Sequence, residues 1–132
     1  MSTDNKDKKT RLIFMGTPGF SLPGFNALIS EKDFEIVGVF TQTDKPIGRE
    51  QIMTPPPVKR LALENGLSVF QPEKIKDELE NIKNLQPDLI VVIAYGKIIP
   101  QSILDIPIHG CINVHASLLP NIAEQLVSTP RY

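Results

Sequence analysis

The chain has 132 residues, enough for one small domain or part of a larger one, and folding at that size buries roughly two-thirds of the unfolded surface. Hydrophobic residues make up 41% and charged residues 22%, as in an ordinary globular chain. A net charge of −1 gives no overall attraction for nucleic acid or an anionic membrane, so any RNA contact has to come from a local patch.

The opening MSTDNKDKKT is polar and mixed in charge, and residues 1–10 are expected to form a disordered tail. It lacks the apolar centre of a secretory signal, and Asp4 and Asp7 argue against an organellar transit peptide. No apolar run approaches the ~20 residues needed to span a membrane. The expected location is the cytoplasm.

Leu12-Ile13-Phe14-Met15 is a short continuous apolar run, as in a strand buried on both faces. Gly16-Thr17-Pro18-Gly19 ends it, where nucleotide-binding folds carry a glycine loop. The spacing is not G-x-G-x-x-G, and Pro18 removes a donor that a phosphate cradle would use. A tight strand-to-helix turn is the favoured reading. A helix follows from about Ser21 to Ser30, with Pro23 tolerated in its first turn, and Glu35–Phe40 is a second strand.

Gln42 to Arg60, QTDKPIGREQIMTPPPVKR, holds Lys45, Arg49, Lys59 and Arg60 against Asp44 and Glu50, a local excess of +2. It reads as a long polar, Pro-rich connection, and such loops in compact domains are more often functional than not. Composition alone does not separate a binding loop from a solvated connector.

Val58–Asn65 is a helix stopped by Gly66 at the usual left-handed position. Leu67–Phe70 is a short strand. Pro72–Asn84 has Ile75, Leu79 and Ile82 at helical spacing. Asp88–Ala94 is the strongest strand, with Tyr95-Gly96 at its end. Gly96 permits positive φ or close backbone approach, and Tyr95 offers a flat apolar surface with a polar tip. Lys97–Leu104 reads as a short helical turn, with His109 a loop histidine. Gly110–Val114 is the last strand. Its Cys111, the only cysteine, excludes an internal disulfide or a cysteine-cluster metal site and reads as a buried thiol.

Strands alternating with helices imply an α/β fold with a mostly parallel sheet and flanking helices. Ligands of such sheets bind beyond the carboxyl ends of the strands. Tyr95-Gly96 falls there, as does the stretch Asn113-Val114-His115-Ala116-Ser117-Leu118-Leu119-Pro120. On a strand, Asn113 and His115 share one face while Val114 points the other way. An amide beside an imidazole can polarise a carbonyl and move a proton.

That stretch, N-x-H followed by S-L-L-P, resembles the signature of the folate-dependent formyltransferases. TPPPVKRLA, VFQPEKI and GCINVHASLLP extend the likeness over Arg11 to Pro120, closest to the branch that formylates methionyl-tRNA. The resemblance implies a Rossmann-like formyltransferase fold over residues 11–120, incomplete here, followed by an unrelated tail at 121–132. It implies 10-formyltetrahydrofolate as formyl donor, methionyl-initiator-tRNA as acceptor and no metal. Asn113 and His115 become catalytic residues. Ile93, Ala94, Tyr95, Gly96, Ser117, Leu118, Leu119 and Pro120 become the folate site. Lys45, Arg49, Lys59 and Arg60 become an RNA-binding loop.

Two departures accompany the likeness. The family places adjacent lysines after Gly-Arg-Gly in the basic loop, where this chain has Gly48-Arg49-Glu50-Gln51, which weakens phosphate contacts. After Pro120 the family continues to a loop carrying a third catalytic residue, an Asp. Here Glu124 is the only acid beyond His115. A truncated enzyme is therefore expected, the alternatives being an inactive folate-binding remnant or another folate-dependent formyltransferase. The basic loop points away from phosphoribosyl-amine and amino-sugar acceptors. The missing glycine pattern disfavours a nicotinamide-binding domain.

Overall fold

A computed structural model describes residues 8–114. His115 to Pro120, and with them part of the anticipated signature, lie outside the described residues. The central strand is β1 (Thr10–Gly16), whose apolar run alternates between two buried faces. Leu12 and Phe14 turn to one side, and Ile13 and Met15 to the other. β1 starts inside the tail expected to be disordered, because the Thr10 amide donates to the Asp33 carbonyl at 2.9 Å.

A 3-10 turn (Gly19–Ser21) leads directly into α1 (Leu22–Ser30), the tight strand-to-helix turn expected from the sequence. β2 (Phe34–Phe40) pairs in parallel with β1, with Val37 as an extra residue where the register shifts from Leu12↔Ile36 to Ile13↔Gly38. α2 (Pro57–Glu64) is stopped by Gly66 at φ 70°. β5 (Val69–Phe70) pairs with β2, and β6 (Leu89–Ile93) with β1. α4 (Gln101–Leu104) then leads to β7 (Cys111–Asn113), which pairs with β6.

Among the described residues, five strands form the main sheet, all parallel, in the order β5-β2-β1-β6-β7. On one face the core joins Leu12, Phe14, Leu89, Val91 and Ile93 to Phe25 and Leu28 of α1 and Val58 and Ala62 of α2. Phe14 stacks on Phe25 with ring centroids 4.3 Å apart. The opposite face joins Ile13, Met15, Ile90 and Val92 to Ile75, Ile82, Tyr95 and Ile103. The fold is thus the anticipated Rossmann-like one, an α/β/α sandwich around a parallel sheet.

Two elements differ from expectation. Within the segment read as an irregular connection, β3 (Lys45–Ile47) and β4 (Ile52–Thr54) form an antiparallel hairpin. Gly48 at φ 81° and Gln51 at φ 52° close its tip. The helix expected over Pro72–Asn84 begins later: a 3-10 turn occupies Ile75–Glu78, and α3 runs over Leu79–Leu85. The reason is a lysine. Lys97 Nζ donates to the Pro72 and Glu73 carbonyls at 2.8 and 2.7 Å, which holds that entry in an extended path.

The end of α3 is capped from the sheet. Arg11 donates from Nη2 to the Leu85 carbonyl at 2.7 Å and from Nε to Gln86 at 3.1 Å, while Gln86 turns left-handed at φ 52°.

Candidate functional site

β1 and β6 lie side by side at the centre of the sheet, and the chain leaves β1 towards β2 on one side and β6 towards β7 on the other. This reversal is where ligands of open parallel sheets bind, beyond the strand carboxyl ends. Gly16 ends β1 opposite Ile93. A Cβ there would lie 2.8 Å from the Ile93 carbonyl oxygen and 2.7 Å from the Phe14 ring, so only glycine lets the strand ends approach.

The segment after β6 is unusual backbone. Ala94 sits at φ 54° and Gly96 at φ 89°, two left-handed residues around Tyr95. Neighbouring loops hold it. Ser21 Oγ, fully buried, donates to the Ile93 carbonyl at 2.8 Å. Thr17 Oγ1 donates to the Tyr95 carbonyl at 2.9 Å, and Gln42 Nε2 to the same oxygen at 3.0 Å.

Between this segment and β7 lies a cavity of about 600 Å³, within the range of small-molecule sites. Its walls include Ala94, Tyr95, Gly96, Ile99, Leu104 and Asn113. Asn113 is exposed at the end of β7, whereas Val114 is buried in the opposite core, the alternation the sequence implies. Ala94, Tyr95, Gly96 and Asn113 therefore meet around one space. Ile93 does not join them; it is buried in the α1–α2 core and contributes its carbonyl to Ser21. His115, Ser117, Leu118, Leu119 and Pro120 are not among the described residues.

Tyr95 is 1% exposed, and its hydroxyl is the one buried side-chain polar atom among the described residues without a partner. Burial, with a smaller contribution from the Glu78 charge, pushes its pKa up to about 12. Its expected polar tip is thus inside the protein rather than in solvent. Cys111 also lines the cavity, and burial raises its thiol to about 11, which keeps it protonated and unreactive at neutral pH.

The basic residues separate. Lys59 Nζ pairs with Asp44 at 3.2 Å, both only partly buried, so its charge is already matched by a carboxylate of the same chain. Asp44 also accepts from Gln71 Nε2 at 2.7 Å. The Gln71 hydrogen bond, together with Lys59 and against partial desolvation, holds the Asp44 carboxyl below its usual range. Lys45, Arg49 and Arg60 are exposed, Lys45 and Arg49 beside the uncovered Ile47, Ile52 and Met53 of the hairpin.

Thr17 lies in the Gly16–Gly19 stretch and Gln42 opens the Gln42–Arg60 segment, yet neither stretch marks these side chains as site residues, and Ser21 and Lys97 carry no mark either. Their only signal is position, as polar residues just past strand ends. Among the described residues, no three or more His, Cys, Asp or Glu side chains are placed to hold a metal, and no helix is long and apolar enough to cross a membrane.

The sequence itself matches a known family. Residues 9–123 fit the family model described as formyl transferase, and the chain belongs to that family. It is 56% identical over 115 residues to a methionyl-tRNA formyltransferase of Bacillus licheniformis, an alignment covering 86% of this chain and 36% of that protein. The methionyl-tRNA formyltransferase of Geobacter sulfurreducens is 55% identical over 112 residues, covering 83% and 35%. The chain thus spans about 36% of the length of these curated relatives. Among solved structures, it resembles the phosphoribosylglycinamide formyltransferase of Coxiella burnetii with a TM-score of 0.52 at 14% identity, covering 80% of this chain and 50% of that one. At that identity the likeness concerns the fold alone.

Proposed function

We propose that this chain forms the formyl-donor half of an enzyme that moves a formyl group from 10-formyltetrahydrofolate to the amino group of methionyl-initiator-tRNA in the cytoplasm. The observation that carries the reading is the shared cavity, where Asn113 faces the same space as the Ala94–Gly96 backbone. The identity to methionyl-tRNA formyltransferases supports the choice of acceptor.

The walls suit a pterin. Its edge alternates donors and acceptors, which the peptide groups of Ala94 to Gly96 can match, while Ile99 and Leu104 supply apolar surface. The family resemblance assigns Ser117 to Pro120 to the same donor site.

The chemistry is acyl transfer. An α-amine has a pKa of about 7.7–8.0, so only part of it is nucleophilic at neutral pH. As its nitrogen bonds to the formyl carbon, negative charge grows on the formyl oxygen. Asn113 and protonated His115 donate to that oxygen, and one such donor contributes ~3–4 kcal/mol. His115 then relays the amine proton to the folate nitrogen as the old carbon–nitrogen bond breaks. Lys45, Arg49 and Arg60 remain free to meet phosphates of the acceptor end, and Lys59 is withdrawn from that set by Asp44.

The test uses the 132-residue chain and 10-formyl-5,8-dideazafolate, an analogue of the donor. The analogue is expected to raise the melting temperature of the parent and of Asn113→Ala alike. Single-turnover transfer to methionyl-tRNA, followed by labelled formyl, should fall by about 100-fold or more in Asn113→Ala. Unchanged transfer in that variant removes Asn113 from the mechanism. Stabilisation without transfer by the parent chain assigns it a folate-binding role only.

A further inference from the structure

We infer that Thr17 and Gln42 are positioning residues for the donor pocket, clamping the Tyr95 carbonyl so that the Ala94–Gly96 wall is held ready before ligand arrives. This rests on the folate reading of the cavity and extends it to two residues outside the cavity lining.

Left-handed backbone at a residue with a side chain is disfavoured and persists only when its surroundings fix it. The Ala94–Gly96 wall has two left-handed residues in three, Gly96 at φ 89° and Ala94 at φ 54°, and Ala94 is the one that carries a side chain. Its peptide direction is set at two carbonyls. Ser21 holds Ile93, and Thr17 and Gln42 together occupy the Tyr95 oxygen at 2.9 and 3.0 Å. The donors are themselves aligned. The Gln42 backbone amide donates to Thr17 Oγ1 at 3.3 Å, leaving the hydroxyl proton for Tyr95. Gln71 Nε2 donates to the Gln42 carbonyl at 3.1 Å and to Asp44 Oδ1 at 2.7 Å, fixing the strand end from which Gln42 reaches.

Gln42 and Gly96 are matched in space. A Cβ on Gly96 would run into Gln42 Nε2, so the amide fills the volume that any other residue at 96 would claim. Rigid backbone of this kind binds a planar polar ligand without first paying for its ordering.

Thr17→Val and Gln42→Met remove one donor each at similar shape, and Thr17→Ser restores the hydroxyl. Two readouts apply to the 132-residue chain. Without ligand, the backbone order parameters at Tyr95 and Gly96 should fall from rigid values of about 0.85 towards the flexible range below about 0.6 in Thr17→Val and Gln42→Met, while β1 and β6 stay rigid. With 10-formyl-5,8-dideazafolate, the Kd should weaken about tenfold in both and return to within about twofold of the parent in Thr17→Ser. Val58→Ala, which lowers stability in the α1–α2 core, should leave the Kd of the folded protein unchanged. Parent-like Kd values in both Thr17→Val and Gln42→Met overturn the inference. If the parent itself binds no analogue, the folate reading fails, and the order parameters alone decide whether the clamp holds the wall.

Discussion

Tyr95 places an unpartnered hydroxyl in an apolar core beside Ile75, Ile82 and Ile103. A buried polar atom without a hydrogen bond forfeits its hydration, so Tyr95→Phe is expected to stabilise the chain by about 1 kcal/mol in urea unfolding, with unchanged m. The same burial shapes the alkaline limb. The folded pKa values of Tyr95, about 12, and Cys111, about 11, lie above their ordinary values of 10.0 and 9.0. Raised values mean that the folded state holds these protons more tightly than the unfolded chain. That stability is complete below about pH 9 and drains away as the pH climbs through 11 to 12. Tyr95→Phe should make the upper part of that decline shallower. Some residue-scale facts were legible beforehand: strand alternation alone places Asn113 towards the cavity and Val114 in the core. Thr17 and Gln42 were not, because the oxygen they share lies 78 and 53 residues away in the chain.

The β3–β4 hairpin is rooted at Asp44, where Gln71 and Lys59 converge. Asp44 titrates below its ordinary value of 3.8, so this anchor is intact above that pH and is lost as pH falls through the lower folded value. Asp44→Asn should loosen the root at neutral pH. The expected sign is faster tryptic cleavage after Arg49, with β1 and β6 amides still protected; parent-like cleavage would mean that the root does not restrain the tip. Local sequence concealed this hairpin. Pro46 removes a ladder donor, and Ile47, Ile52 and Met53 leave their apolar side chains uncovered, so neither alternation nor burial marks the strands. β6 was legible for the opposite reason: Leu-Ile-Val-Val-Ile is buried at every position. The late start of α3 lay beyond periodicity, since Lys97 takes the carbonyls of Pro72 and Glu73 from a different part of the chain.

For the molecule as a whole, a net charge of −1 means that the proposed RNA contact falls to a local patch, and the Gln42–Arg60 segment offers the exposed Lys45, Arg49 and Arg60, opposed nearby by Glu50. If all three reach phosphates, log K for an acceptor-stem RNA should fall with log salt at a slope of roughly −3, reduced by about one in Arg49→Ala. A steeper slope would place further cations in the contact. The alternation of strands and helices made the parallel sheet readable in advance, whereas the order β5-β2-β1-β6-β7 depends on long-range packing that periodicity does not encode.

That order also bears on how the chain is made. β1 is the first of the described strands in chain order and the central one of the described sheet. Its clasp to Asp88, the Arg11 amide on the carboxylate at 2.9 Å, spans 77 residues. Until that far segment emerges, Leu12 to Met15 have a partner strand on one side only. Parallel pairing over such a separation is slow, because a long loop must close before the contacts form. The interval in which an apolar strand stands half-paired is therefore set by the pace of translation, and slowing synthesis between β2 and β6 lengthens the time in which nascent chains can associate through it.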